Sequence, residues 1–164
     1  DLRKRFKTFS LLNKSSNKNQ INMHTVADIL KRKGSNIYSV TPDTLIRDVL
    51  HLMNDKNIGA VVVMEKEQYL GIFTERVYAR RVVIKGKSSN KNKVGEVMAT
   101  DFPRVRKKDK LNQCMQLMTT NNIRYLPVFE EDSFVGIISI IDVVMEELEM
   151  QKELVEHMQN YISG

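Results

Sequence analysis

The chain has 164 residues, of which 41% are hydrophobic, so it can bury the core of one compact domain or of two small halves. No apolar stretch approaches the roughly 20 residues of a membrane-spanning helix, so we expect no membrane span. The single Cys114 excludes a framework of internal disulfides. The net charge is +6, but residues 1–22 hold six lysines and arginines against one aspartate, which leaves the rest almost neutral. This distribution argues against a broad nucleic-acid-binding face.

The basic segment at residues 1–22 also contains three serines, which is the composition of an organelle-targeting segment or of its remnant. We therefore predict an N-terminal extension and a mitochondrial location. A disordered basic extension of a protein in another compartment, such as the cytoplasm, stays open as an alternative. Nucleic-acid binding through this segment is a third interpretation, which we do not favour.

The hydrophobic periodicity then predicts a series of elements along the first half of the chain. They are a short helix at 25–30 that ends at Gly34, a strand at 37–40, a helix at 45–53, strands at 60–64 and 70–73, and a helix from Thr74 onward. The continuous apolar run at 60–64 is typical of a strand that is buried on both faces.

A polar, glycine-containing linker at 85–93 leads to a second series of the same kind. Its elements are a strand at 102–105, a helix at 111–118, strands at 126–129 and 134–140, and a helix from Asp142 onward. The two series align at an offset of 65 positions, so that Gly71-Ile72 corresponds to Gly136-Ile137. The segments ahead of them, 26–30 and 94–98, align at an offset of 68. A repeat of this length exceeds most solenoid units, so we expect two halves that share a core and enclose a crevice.

The end of the chain carries an apolar stripe. Leu148, Val155 and Ile162 recur every seven residues, and Met158 broadens the stripe. This spacing predicts a C-terminal helix whose apolar face needs a partner surface. We expect the helix to dock on a second subunit or on another protein in a larger complex. Packing against its own subunit is the alternative.

The order of elements, present twice, resembles the CBS domain (the cystathionine β-synthase motif), and two copies in tandem resemble a Bateman module. The most specific segments are Leu70-Gly-Ile-Phe-Thr-Glu-Arg76, Ile123-Arg-Tyr-Leu-Pro-Val128 and Val135-Gly-Ile-Ile-Ser139. The chain is similar to bacterial stand-alone CBS pairs and to plant organellar CBS proteins. The resemblance implies an α/β fold in which two pseudo-symmetric β-α-β-β-α halves pack sheet to sheet. The division that we expect is a basic extension at 1–22, CBS domain 1 at 23–87, CBS domain 2 at 94–147 and a C-terminal helix at 148–164.

The family pattern Gly-apolar-apolar-Ser/Thr-x-x-Asp occurs intact in the second half, from Gly136 to Asp142. The resemblance implies that Ser139 contacts a phosphate and that Asp142 accepts hydrogen bonds from a ribose. A hydroxyl at a helix N-terminus suits this role, because free backbone N–H groups and the helix dipole attract phosphate. The alternative is that Ser139 and Asp142 form only a capping box. Ile141 replaces the small residue of related sequences and could narrow the pocket.

The first half departs from this pattern, because Val77 stands where the family has aspartate. Thr74 is retained, and Arg76, Arg80 and Arg81 follow it at helical spacing. These arginines could clamp phosphates through paired hydrogen bonds, or they could form a solvated basic helix face. We therefore expect at most one complete nucleoside site in each chain, on the Asp142 side.

The sequence contains no catalytic or metal-binding constellation, since its three histidines are scattered and no Walker loop or Cys/His cluster is present. We expect no enzyme activity and no required metal. The resemblance implies a regulatory sensor that binds an adenine nucleotide (AMP, ADP, ATP or an NAD-type dinucleotide) in the crevice and signals through its dimer arrangement. The alternative is a ligand-independent accessory or docking subunit of a larger mitochondrial assembly.

An apolar stripe on the central helix of each half suggests how two chains could associate. It comprises Leu45, Val49 and Leu52, together with Met115 and Met118 in the second half. We expect this stripe to form the interface of a homodimer through the CBS helices.

Overall fold

Two three-stranded sheets, one in each half, organise residues 23–34 and 36–164, which are the part of the chain that the computed structural model describes. Residues 1–22, with the predictions made for them, lie outside the described residues. The first half contains helix α1 (Val26–Lys33), β1 (Ser39–Val40), α2 (Ile46–Lys56), β2 (Ala60–Glu65), β3 (Gln68–Thr74) and α3 (Glu75–Val77), which continues as π-helical turns (Tyr78–Val83). The second half contains a 3-10 turn (Val94–Glu96), β4 (Val105–Arg106), α4 (Leu111–Thr120), β5 (Tyr125–Glu130), β6 (Ser133–Ser139) and α5 (Ile140–Ser163).

The two sheets have the same topology and the same irregularity. In each sheet a short strand pairs in parallel with the first strand of an antiparallel hairpin. The register shifts between Val63 and Met64 in one hairpin and between Val128 and Phe129 in the other, which are equivalent positions of the repeat. Residues 61–63 of β2 are all buried, as the continuous apolar run predicted, because both faces of the sheet are covered. The α/β fold with two pseudo-symmetric halves is therefore confirmed.

Each half is completed by a segment that precedes the other half. We call residues 25–33 and 93–101, which are equivalent at the offset of 68, the leading segments. Val26 and Ile29 of the first leading segment are buried in the core of the second half. Val97 and Ala99 of the second leading segment are buried in the core of the first half. Each core therefore contains buried residues of the leading segment that precedes the other half in sequence.

Backbone hydrogen bonds hold each leading segment against the half that it completes, an arrangement that we call the exchange of segments. The N–H of Val26 donates to the Asp109 carbonyl over 3.0 Å. Ile72 and Ala99 exchange two hydrogen bonds of 2.9 and 2.8 Å. Gly71 allows the close approach, since a Cβ at this position would lie 2.6 Å from the Ala99 carbonyl oxygen.

The first leading segment is also held to α5 by a polar network. Glu146 is only 4% exposed, and its carboxylate accepts hydrogen bonds from His24 Nδ1 and from Arg32 Nε, each over 2.7 Å. The second ring nitrogen of His24 lies 2.9 Å from Glu153 Oε2. Burial lowers the pKa of His24, but the two glutamates outweigh it and leave the pKa above its ordinary value. Protonated His24 therefore stabilises the contact between the segment and the helix.

The helix α5 continues beyond the second core as one unbroken helix of 24 residues. Val143 and Glu146 are its buried residues. Beyond them the apolar stripe does not pack on its own core, because Leu148, Val155 and Ile162 are each more than half exposed. No helix among the described residues is both long and apolar enough to cross a membrane.

The stripe that was expected to form the homodimer interface is largely occupied within the chain. Val49 and Met118 are fully buried in the cores of their own halves, and Leu45, Leu52 and Met115 are half-buried. The exposed apolar side chains instead lie at the end of the π-helical turns and along α5. They are Val83, Ile84, Ile141, Val144, Met145, Leu148, Val155, Met158, Tyr161 and Ile162, and of the large apolar side chains only Met23 and Tyr38 are exposed elsewhere among the described residues.

The exchange of segments predicts that the two equivalent glycines differ in their tolerance of a methyl group. Gly71→Ala should lower the free energy of unfolding by about 1–3 kcal/mol, because the new Cβ meets backbone that cannot move without breaking the Ile72–Ala99 pair. Gly136→Ala should cost less, because its Cβ would lie 3.0 Å from Leu30 Cδ2, the end of a flexible side chain. Urea unfolding of both variants measures the difference, and equal losses would contradict this account of the exchange.

Candidate functional site

Two neighbouring cavities lie between the halves. The narrow cavity has a volume of about 260 Å³, and the wide cleft has a volume of about 760 Å³. They share one wall, which is formed by Gly59, Glu75, Arg124 and Tyr125. Tyr125 fits against the backbone of Gly59 so closely that a side chain at residue 59 would collide with its hydroxyl. Burial raises the pKa of Tyr125, with a smaller contribution from Glu75, so this wall carries a neutral phenol.

Four of the six predicted site residues line the narrow cavity: Thr74, Arg76, Arg80 and Arg81. Thr74 is 4% exposed, and its hydroxyl oxygen accepts a hydrogen bond from the Val77 N–H over 3.1 Å. The hydroxyl proton remains available as a donor. The threonine therefore both caps α3 and presents a donor to the cavity.

The three arginines have different surroundings. Arg76 Nη1 donates to the carbonyl and side-chain oxygens of Asn122, over 2.9 and 3.2 Å, and so links the two halves. Arg81 Nη1 donates to the Met98 carbonyl over 2.8 Å, and its Nη2 lies 3.6 Å from the Asp101 carboxylate. Among the described residues, Arg80 has no hydrogen-bond or ion-pair partner. The arginines therefore do not form a uniform solvated face. Arg76 and Arg81 are held by hydrogen bonds to backbone carbonyls, whereas Arg80 has no such partner among the described residues.

The wall that faces these arginines comes from the second half and is partly apolar. It includes Phe102, Pro103 and Ile123, all half-buried, together with Arg124. A cavity with an apolar wall and a few convergent charges is typical of small-molecule sites. The sequence analysis did not find this wall. The repeat does contain a signal for it, because 123–125 is equivalent to 58–60, which borders the wide cleft.

Of the other two predicted residues, Ser139 lines the wide cleft together with Ile141 and Lys33, whereas Asp142 is not a lining residue. The Ser139 hydroxyl accepts from the Asp142 N–H over 3.1 Å, and the Asp142 carboxylate accepts from the Ser139 N–H over 2.7 Å. The capping box that the sequence left open is therefore formed.

The Asp142 carboxylate is also engaged by Lys33, whose ammonium group donates to it over 2.8 Å and to the Ile137 carbonyl over 3.1 Å. Burial raises the pKa of Asp142, but hydrogen bonds from Lys33 and from the Ser139 backbone outweigh it and hold the pKa below its ordinary value. A ribose at this position would have to compete with Lys33. Five of the six predicted residues thus line two different cavities, and the sixth, Asp142, is already paired with Lys33.

The sequence profile of the CBS domain matches residues 26–82 and 94–149. The chain is a tandem CBS-domain protein. It is 35% identical over 150 residues to the CBS domain-containing protein CBSX3, mitochondrial, of Arabidopsis thaliana, which covers 85% of this chain and 72% of that relative. The likeness to stand-alone CBS proteins that the motifs suggested is confirmed.

Solved structures agree with the fold of this CBS pair. A CBS-domain-containing protein from Agrobacterium tumefaciens is 36% identical, with a TM-score of 0.70 over 75% of this chain and 98% of its own. A hexameric CBS-CP12 protein from bloom-forming cyanobacteria is 24% identical, with a TM-score of 0.64 over 76% of this chain and 72% of its own. Among the described residues, no group of three or more His, Cys, Asp or Glu side chains is placed to hold a metal ion.

The ion pair between Lys33 and Asp142 predicts that the pKa of Asp142 depends on Lys33. A carboxylate with a depressed folded-state pKa contributes stability above its unfolded pKa, and this stability is lost as the pH falls through the folded pKa. In the variant Lys33→Gln the pKa of Asp142 should rise, because the charged donor is removed. Carboxyl carbon shifts followed by NMR across an acid titration measure it. An unchanged pKa would show that Lys33 does not hold this carboxylate in solution.

Proposed function

We propose that this tandem CBS protein is a regulatory sensor with no chemistry of its own, and that it binds an adenine nucleotide in the narrow cavity. The observation that carries the proposal is that Thr74, Arg76, Arg80 and Arg81 converge on one cavity whose other wall is apolar. The arginines supply charge for phosphates, and the wall from Phe102 to Pro103 supplies a surface for a purine. The fold and the CBS relationship support this choice of ligand class.

The geometry favours the narrow cavity over the Asp142 side, on which the sequence analysis had placed the more complete site. In the wide cleft the ribose acceptor is paired with Lys33, and the exposed Ile141 is one of the lining residues. In the narrow cavity Arg80 is unpaired and available. A volume of about 260 Å³ is at the small end of ligand sites, which suits a mononucleotide better than a dinucleotide such as NAD.

In this proposal the nucleotide binds two arrangements of a homodimer with different affinities and so shifts the equilibrium between them. The shift in this equilibrium is the signal, because a ligand changes such an equilibrium only by its differential affinity. The exposed apolar side chains of α5, such as Val144 and Met145, offer a surface for such a dimer. The similarity to a mitochondrial plant protein and the basic composition of residues 1–22 support a mitochondrial location, with the cytoplasm as the alternative.

The proposal predicts a specific loss of affinity in Arg80→Ala. A charge-assisted hydrogen bond to phosphate contributes about 1.5–3 kcal/mol, so the Kd for ADP should rise roughly 10- to 100-fold. Arg47→Ala is the matched control, because Arg47 is exposed on α2, pairs with Asp48 and lies outside both cavities. Isothermal titration calorimetry with AMP, ADP, ATP and NAD gives the affinities. Absence of binding to all four, or equal binding by wild type and Arg80→Ala, would contradict the proposal.

A second candidate function is that of an accessory subunit that assembles through α5. The observation in its favour is the stripe of Leu148, Val155, Met158 and Ile162, each more than half exposed on a helix that extends past the core. Most of the stability of a helix in a protein comes from the packing of its apolar face, and this part of α5 has no such packing among the described residues. A protein with this second function would assemble whether or not a nucleotide is bound.

This candidate predicts that Val155→Glu breaks the assembly without unfolding the CBS pair. Val155 is 53% exposed, so its substitution should change the free energy of unfolding by no more than about 0.5 kcal/mol. Asn160→Glu adds the same charge away from the stripe and should leave assembly intact. Sedimentation velocity of both variants measures assembly, and thermal unfolding shows whether the CBS pair is still folded. Unfolding of Val155→Glu, or an unchanged sedimentation coefficient, would rule out α5 as the assembly surface.

A further inference from the structure

The narrow cavity lacks the acid that the family pattern uses for ribose. The residue equivalent to Asp142 is Val77, which is 7% exposed and cannot accept a hydrogen bond through its side chain. The cations around this cavity provide for phosphate but leave the sugar hydroxyls of the proposed nucleotide without a charged acceptor. The rest of the cavity wall must supply one if a ribose is bound as tightly as the phosphates.

A carboxylate does reach the narrow cavity, from the opposite wall. Asp101, at the end of the second leading segment, lines the cavity, and its side chain is 77% exposed. Its Oδ1 lies 3.6 Å from Arg81 Nη2, which is beyond hydrogen-bond distance. The guanidinium of Arg81 is held instead by the Met98 carbonyl over 2.8 Å. Asp101 therefore accepts no hydrogen bond through its carboxylate from any described residue, and its two oxygens can accept hydrogen bonds from two adjacent hydroxyls.

The repeat explains why an acid stands at residue 101. Asp101 is equivalent to Lys33 at the offset of 68, and Arg81 is equivalent to Glu146 at the offset of 65. In the wide cleft the leading segment carries the cation and the helix carries the acids, as in the pair of Lys33 with Asp142. Around the narrow cavity the leading segment carries an acid, Asp101, and the helix carries a cation, Arg81. The signs are interchanged at these two positions, although Lys33 pairs with Asp142 and not with Glu146.

From this interchange we propose that Asp101 is the ribose-binding carboxylate of the narrow cavity and replaces the acid that is absent at Val77. The inference rests on the proposed binding of an adenine nucleotide in this cavity. Glu75 is the other acid in the cavity wall. It lies at the shared wall, where its Oε2 is 3.5 Å from the position of a Cβ on Gly59, and it has no ion pair with the arginines. Asp101 faces the arginine side, where the sugar next to a bound phosphate would lie.

The test compares ADP with 2′,3′-dideoxyADP by calorimetry on the full chain and on the isosteric variant Asp101→Asn. Asp101 is exposed, so the variant should fold as the wild type does. The expected result is that Asp101→Asn weakens ADP roughly 10- to 100-fold but changes dideoxyADP by less than about threefold. The matched variant Glu75→Gln should keep the wild-type preference for ADP over dideoxyADP.

Each other outcome has a defined meaning. If Asp101→Asn changes the Kd of both ligands by the same factor, the carboxylate acts only through its charge, and the inference is overturned. If the variant changes neither Kd, Asp101 does not contact the nucleotide, and the inference is also overturned. If Glu75→Gln abolishes the preference instead, the acceptor is Glu75 and the inference is likewise overturned. If the wild type binds no ADP, the proposed function fails first, and that result is distinct from ADP binding that is indifferent to residue 101.

Discussion

The arrangement of the whole molecule depends on the backbone hydrogen bonds between each leading segment and the opposite half. The paired N–H and C=O groups of Ile72 and Ala99 join one segment to the edge of β3, and the bond from Val26 to Asp109 anchors the other segment. Buried backbone groups are costly when they are unpaired, so these bonds and the apolar residues beside them set the relative position of the halves. The cavities follow from this exchange, because the end of a leading segment forms part of the wall of each.

The exchange also explains why two similar halves form dissimilar cavities. Each cavity is bordered by the start of a helix from one half and by the end of a leading segment, and the charges at these two borders differ between the cavities. In the wide cleft Lys33 and Asp142 satisfy each other at 2.8 Å, and little charge remains for a ligand. In the narrow cavity Arg81 and Asp101 are 3.6 Å apart, and Arg80 has no ion-pair partner among the described residues. A pseudo-symmetric fold thus carries one cavity with a cation that these residues leave unpaired and one cleft beside which the acid is already paired.

Much of the fold was predictable because its signals are local. The apolar pattern within each copy of the repeat, the buried run of β2 and the hydroxyl at Thr74 all depend on residues close in sequence, and the structure places them as expected. The capping box of Ser139 and Asp142 was predicted as an alternative for the same reason.

The remaining features depend on contacts between residues far apart in sequence. An offset of 68 for the leading segments shows that a loop differs in length, but it does not show which core the segments enter. The pairing of Asp142 with Lys33 joins residues that are distant in the chain, and the burial of Val49 and Met118 depends on how much of each helix its own sheet covers. For this second reason the sequence did not show that Val49 and Met118 of the expected dimer stripe are buried within the chain, and the homodimer stays a prediction. The free carboxylate of Asp101 becomes visible only when the two halves are assembled.

A nucleotide bound in the cavity between α3 of one half and the apolar wall of the other would change the surroundings of both walls. A backbone amide NMR titration of the full chain with ADP measures this effect. We expect the largest shift changes on residues 74–81, 101–103 and 122–125, with smaller changes around Ser139 and Asp142. Changes centred on Ser139, Asp142 and Lys33, with none between residues 74 and 81, would contradict it.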